Sequence, residues 1–194
     1  ISYSSDTYAD AVTNNTNSTM KGTLDTWYKN NLTNYSSYLA DETFCNDREI
    51  SSGSGNLLTP TTTYGAYSRL YENRNPSLKC VQDNDKFKVS NVSAKLDYSI
   101  LLITADEVAM AGGVFNTQNN NYYLYNGQYF WTMSPSYFSS YDLYARVYNV
   151  SSSGGLGRDQ VPIYSKIRPV INLKADVQIT KGDGTALNPY VVQS

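Results

Sequence analysis

Asp142-Leu143-Tyr144-Ala145-Arg146-Val147-Tyr148-Asn149-Val150 is the stretch on which the reading of the fold turns. Leu143, Ala145 and Val147 fall on one side of a period-two pattern, and Tyr144, Arg146 and Tyr148 on the other. That alternation predicts a β-strand with one buried face. If the aliphatic side is core, the phenols and the guanidinium face outward. An exposed cluster of Tyr and Arg is typical of binding hot spots and unexpected on an idle surface. The opposing possibility is that both faces are covered, which would bury Arg146 at a cost unless it is paired.

Working outward, Ser151–Gly155 turns the chain and Leu156–Val161 reads as a return strand. Lys166–Leu173 carries Ile167, Val170, Ile171 and Leu173, a mostly buried strand in which Arg168-Pro169 marks an edge or a bulge. Val177–Thr180 and Tyr190–Val192 are expected to pair around Gly182-Asp183-Gly184. Upstream, Tyr122–Tyr125 and Gln128–Met133 flank Asn126-Gly127, a strong hairpin signal. Tyr98–Ile103 reads as a buried strand. It runs into Thr104-Ala105-Asp106-Glu107, a capping box that starts a helix over Ala105–Ala111, stopped by Gly112-Gly113. A second helix over Ser18–Asn31 follows from Met20, Leu24, Trp27, Tyr28 and Leu32, capped by Ser18 or Thr19, with Trp27 as a core anchor. Ser51–Thr63, rich in Gly, Ser, Thr, Pro and Asn, reads as loop.

The composition narrows the function. The 194 residues are only 16% charged, with a net charge of −2, so no basic footprint for nucleic acid is present. Tyrosine occurs 19 times; it combines a large apolar area with a polar tip and little rotamer loss on binding. Part of that number is expected simply to line sheets. Histidine is absent, which removes the commonest general base and metal ligand and rules out Ser-His-Asp and Cys-His catalysis. Asp83-Asn84-Asp85 starts like a calcium loop but lacks Gly at the sixth position and Glu at the twelfth. Cys45 and Cys80 are expected to form one disulfide in an extracellular protein, the alternative being two buried thiols. The first residue, Ile1, suggests a processed chain whose signal peptide or anchor has been removed or lies elsewhere.

Several segments, taken as a series, resemble a known group. They are Trp27-Tyr28, Phe44-Cys45-Asn46-Asp47-Arg48, Ile103–Val108, Trp131-Thr132-Met133-Ser134-Pro135-Ser136, Ile167–Leu173, and the closing Gly182-Asp183-Gly184-Thr185 and Asn188-Pro189-Tyr190. The chain from about Ser18 onward is similar to surface proteins of gut bacteria that look like a branch of the C-type lectin fold. That fold is shared with formylglycine-generating enzymes and with the variable proteins of diversity-generating retroelements. The resemblance places a ligand face between the Trp-containing strand and the final Arg-Pro strand, here Ser134 to Lys166. The residues it points to are Tyr137, Phe138, Tyr141, Tyr144, Arg146, Tyr148, Arg158, Asp159 and Tyr164. Tyr, Ser, Asn, Asp and Arg are also what adenine-directed mutagenesis tends to produce. The calcium motifs of sugar-binding C-type lectins (Glu-Pro-Asn or Gln-Pro-Asp with Trp-Asn-Asp) are missing. The cysteines lie far upstream of the thiolates used by formylglycine-generating enzymes.

The expectation is therefore an α+β chain with a C-type-lectin-like fold: two helices, a small, mostly antiparallel twisted sheet and long irregular loops. It divides into an N-terminal arm (1–17), a binding domain (18–175) and a C-terminal strand or hairpin extension (176–194). Its expected role is a secreted or surface-displayed, adhesin-like domain that binds a protein or glycan on another cell surface. No enzyme activity, cofactor, metal, nucleic acid or membrane insertion is expected of it. The alternatives are a structural subunit of a surface fibre and a formylglycine-generating-type enzyme.

Overall fold

The computed structural model of the chain describes residues 13–15, 17–55, 60–141, 144–161, 165–185 and 187–193. The expected arm therefore lies largely outside the described residues, as do Tyr164, Leu143 and the rest of 142–143 and 162–164. In chain order the elements begin with helix α1 (Thr19–Asn31) and a 3-10 turn (Thr33–Tyr38). Four short strands follow: β1 (Leu39–Ala40), β2 (Phe44–Cys45), β3 (Ile50–Ser52) and β4 (Thr61–Tyr64). Helix α2 (Gly65–Tyr67) continues into a π turn (Ser68–Glu72), then come β5 (Lys86–Phe87), β6 (Leu101–Leu102) and helix α3 (Ala105–Ala111). The last strands are β7 (Phe130–Ser139), β8 (Tyr144–Val150), β9 (Leu156–Gln160), β10 (Pro169–Val170), β11 (Asn172–Leu173), β12 (Gln178–Lys181) and β13 (Val191–Gln193). The class is α+β with few helices and small antiparallel sheets.

The largest sheet is five-stranded, antiparallel throughout, in the order β3-β4-β7-β8-β9. Four two-stranded pairs surround it: β1 with β11, β6 with β10, β2 with β5, and β12 with β13. Two of these pairs, β1–β11 and β6–β10, bring the end of the chain back against segments far earlier in sequence.

Local signals explain several elements directly. Ser18 caps α1, its hydroxyl accepting from the Lys21 amide at 3.2 Å. Thr104 and Glu107 form the reciprocal capping box of α3, and Gly112 ends that helix at φ +123°. The expected β12–β13 pairing around Gly182 is present, and every described residue in both strands is exposed.

Two hydrophobic clusters flank the main sheet. One joins Leu70, Ile103, Val108, Phe130, Tyr148, Val150 and Leu156. The other joins Leu24, Tyr28, Leu39, Ile100, Leu102 and Trp131. Neighbouring residues on β7, Phe130 and Trp131, enter opposite clusters, so both faces of the sheet are covered.

That double coverage corrects the outward orientation expected for Tyr148. Its ring is 0% exposed and belongs to the first cluster, while Val147 packs against the second. A strand between two cores has no outward face along its central residues. Trp27 also departs from expectation. It is 44% exposed, because α1 buries a narrow stripe through Leu24 and Tyr28, and Trp27 lies just off that stripe.

Other strands are redistributed. Tyr122–Tyr125 forms no strand: the chain bends at Gly127, which adopts φ +69°, and the hydrogen-bonded turn lies earlier, from the Tyr125 amide to the Tyr122 carbonyl. At the start of β7 one side pairs with β8, and on the other the Trp131 and Met133 amides donate to the Lys166 and Ile103 carbonyls at 3.1 and 3.0 Å, leaving no edge there for a hairpin partner. Thr61–Thr63, the end of the expected loop, joins Tyr64 in β4 because the Thr-Thr-Thr-Tyr run suits a pleated, half-buried surface. The expected strand over Tyr98–Ile103 is regular only at Leu101–Leu102, and Lys166–Leu173 is split into β10 and β11.

Covalent and ionic ties hold the irregular middle of the chain. Cys45 and Cys80 are joined as a disulfide with Cα atoms 5.7 Å apart. The Arg48 guanidinium donates to Asp85 at 2.7 Å, with both side chains buried, and donates again to the Asn14 side chain at 2.9 Å. Arg69 donates to both carboxylate oxygens of Asp106, at 2.8 and 2.9 Å, and to Asp47 at 2.6 Å. Burial opposes the charge on Arg69, but these two carboxylates raise its pKa above the ordinary arginine value. Asp106 therefore does more than face the dipole of α3: it ties that helix to the π turn.

Candidate ligand-binding site

The edge strand β9 sets the candidate site. Antiparallel register places Arg158 opposite Tyr148 and Gln160 opposite Arg146, so Arg146 and Arg158 are diagonal neighbours across the β8–β9 ladder. On the other side of β8, Tyr137 lies opposite Arg146. The centre of the Arg146 guanidinium and that of Arg158 each lie 5.3 Å from the Tyr137 ring centroid.

Arg158 is enclosed by aromatic rings. Its guanidinium carbon lies 4.5 Å from the ring centroids of Tyr71 and Phe115, 4.9 Å from Tyr67 and 5.3 Å from Tyr137. The rings also support one another. Tyr67 and Tyr71 are 5.0 Å apart, Tyr71 meets Phe115 edge-on at 5.1 Å, and Phe115 meets buried Tyr148 edge-on at 6.2 Å. Each cation–π contact contributes about 0.5–2 kcal/mol depending on desolvation. Among the described residues the Arg158 side chain makes no ion pair and no hydrogen bond, and its Nη1 is buried.

A cavity of about 360 Å³ opens here, lined among others by Phe115, Tyr129, Tyr137, Arg146, Arg158 and Asp159. Buried Asn149 and Gly157, which face each other across the ladder, also border it. Asp159 is the one carboxylate among the described residues of this lining, and the Tyr129 hydroxyl donates to it at 2.5 Å. Burial first, and then the Asp159 charge, push the Tyr129 phenol well above the ordinary tyrosine range. Beneath the site, burial pushes the Tyr148 phenol up to about 12, although Ser136 and the Arg158 charge pull the other way. The Tyr148 hydroxyl donates to the Ala66 carbonyl at 3.3 Å.

Of the residues singled out in the sequence, Tyr137, Arg146, Arg158 and Asp159 line this one cavity. Phe138, Tyr141 and Tyr144 do not; Tyr141 is 81% and Tyr144 42% exposed. Tyr148 is a core residue behind the site, and Tyr164 lies outside the described residues. Tyr67, Tyr71, Phe115 and Tyr129 escaped the sequence reading because they come from segments before the Ser134–Lys166 interval. The spacing of four between Tyr67 and Tyr71 was the one available signal, since it puts both rings on the same side of a helical turn. Arg168 donates to the Leu124 carbonyl and lies 5.2 Å over the Phe130 ring.

Among the described residues no cluster of three or more Cys, Asp or Glu is placed to hold a metal ion, and no helix is long and apolar enough to cross a membrane. No protein-family model, curated protein or solved structure matches the chain.

Proposed function

We propose that this chain is a surface-displayed or secreted binding domain of C-type-lectin-like architecture whose recognition site is the Arg158 cavity. The observation that carries the reading is the Arg158 guanidinium held among four aromatic rings at the border of an open cavity, with no acidic partner among the described residues. Tyr and Arg grouped around a concave site are the residue types that dominate binding energy in interfaces. The exposed phenols of Tyr71, Tyr141 and Tyr144 extend the apolar surface presented by the domain.

The motif series from Trp27 to Tyr190 supports the lectin-like branch, and the Tyr/Arg content of Ser134–Lys166 fits a retroelement-diversified variable protein. The Cys45–Cys80 bridge is compatible with an extracellular or other oxidising environment. While it is intact, neither cysteine offers a thiol for formylglycine-generating chemistry.

The test is a panel of cell-surface glycans and surface proteins, probed with the labelled domain in its monomeric form. Saturable binding that survives EDTA and is lost in Arg158→Ala and in Tyr137→Ala, both still folded, is the expected result. Binding that never saturates, or that both variants retain in full, refutes this site. Concentration-dependent polymers in sedimentation would favour the fibre subunit instead.

A further inference from the structure

We infer that the group received by Arg158 is an oxyanion, the carboxylate or sulfate of a ligand, bound in the plane of the guanidinium and shared with Arg146. The inference rests on the binding-domain reading and specifies the ligand chemistry of that site.

A guanidinium satisfies two kinds of partner in two directions. Its faces lie well against aromatic rings, and its N–H donors point outward in the plane of the group. Tyr67, Tyr71, Phe115 and Tyr137 supply rings within 4.5–5.3 Å of Arg158. None of these contacts satisfies an in-plane donor. The buried Nη1 of Arg158 has no hydrogen-bond acceptor among the described residues. A buried donor without an acceptor costs about 1–3 kcal/mol, and more when it is charged. An acceptor delivered by a ligand removes that cost, so binding energy is available at this atom.

Charge points the same way. Two guanidinium centres share one ring, each 5.3 Å from Tyr137, and like charges so placed repel. An anion received by Arg158 is attracted by the Arg146 charge as well. Asp159, the one carboxylate among the described lining residues, is already engaged by the Tyr129 hydroxyl and forms no ion pair with Arg158. Among the described residues the lining carries the guanidinium groups of Arg146 and Arg158 and the carboxylate of Asp159. Planar, forked donors favour carboxylates and sulfates over neutral hydroxyls because charge-assisted pairs are roughly twice as strong as neutral ones.

The probes are sodium benzoate and sodium sulfate, with neutral benzamide and cationic benzamidine as controls, titrated at constant ionic strength into the intact domain and followed by amide NMR. Benzoate or sulfate is expected to shift resonances of residues 115–116, 137, 146 and 156–160, with both controls inert. A response to benzoate over sulfate assigns a planar carboxylate, and the reverse a sulfate ester. Arg158→Gln is expected to weaken the response roughly tenfold and Arg146→Gln by a smaller factor. Arg158→Lys, which keeps the charge against the rings, serves if the Gln variant does not fold; it is expected to lose more for benzoate than for sulfate. No response to either anion, an equal response to benzamide, or an unchanged response in the folded Arg158 variants overturns the inference. Loss of anion response with surface binding intact sinks this inference alone. Anion binding without any surface ligand sinks the wider function and leaves the inference standing.

Discussion

Tyr144 and Tyr148 share one side of β8 by sequence alternation, yet replacing each by alanine is expected to have opposite consequences. Tyr148 is fully enclosed; its ring meets Phe115 and its hydroxyl reaches the Ala66 carbonyl. A ring burying about 200 Å² at about 25 cal/mol per Å² sets an upper bound near 5 kcal/mol. Aromatic-to-alanine changes in cores cost about 3–5 kcal/mol, so about 4 kcal/mol is expected for Tyr148→Ala. For a chain of this size that lowers Tm by roughly 10–15 °C. Tyr144→Ala, at a largely exposed position, is expected to stay within about 0.5 kcal/mol of the parent. Urea and thermal unfolding followed by circular dichroism measure both. An unchanged Tm in Tyr148→Ala would refute the two-core account of the sheet and restore an outward-facing phenol. Tyr148→Phe adds a pH signature. The folded phenol titrates near 12 and the unfolded one near 10.0, so its contribution is complete below pH 10 and drains away as the pH rises to 12. About 2 kcal/mol of alkaline destabilisation should therefore vanish in Tyr148→Phe relative to the parent.

Two further outcomes are expected. Reducing Cys45–Cys80, or replacing both with serine, opens a loop with a sequence separation of 35 residues. Loop-closure entropy gives a loss of about 4 kcal/mol, read as a fall in the urea midpoint under reducing conditions. Arg48→Ala strands buried Asp85 without its main cation and is expected to cost about 3–5 kcal/mol in the same assay, whereas a change below about 1 kcal/mol would show that the buried pair is dispensable.

What the sequence revealed follows the range of each interaction. The α3 capping box, the Ser18 cap and the β12–β13 ribbon are made within a few residues or across a short turn, and they were legible. The β1–β11 and β6–β10 pairs join two-residue strands separated by long stretches of chain, too short to leave a periodic trace. Tyr148 misled because alternation reports only that neighbours diverge. It is silent on whether one core or two receive them. Half of the site was visible in Tyr137, Arg146, Arg158 and Asp159. The other half, Tyr67, Tyr71, Phe115 and Tyr129, arrives through tertiary folding of distant segments.

The position of β9 at the margin of the five-stranded sheet has one more consequence. Among the described residues its outer side is hydrogen-bonded only at Leu156, to the Val114 carbonyl and the Asn116 amide. Beyond that point the rim has no backbone partner among the described residues, and unpaired edges of this kind invite strand-by-strand stacking between molecules. Arg158 and Asp159 stand at this rim. Charged side chains on such a rim act as gatekeepers of solubility, and a variant neutralised at both positions is expected to aggregate more readily than the parent.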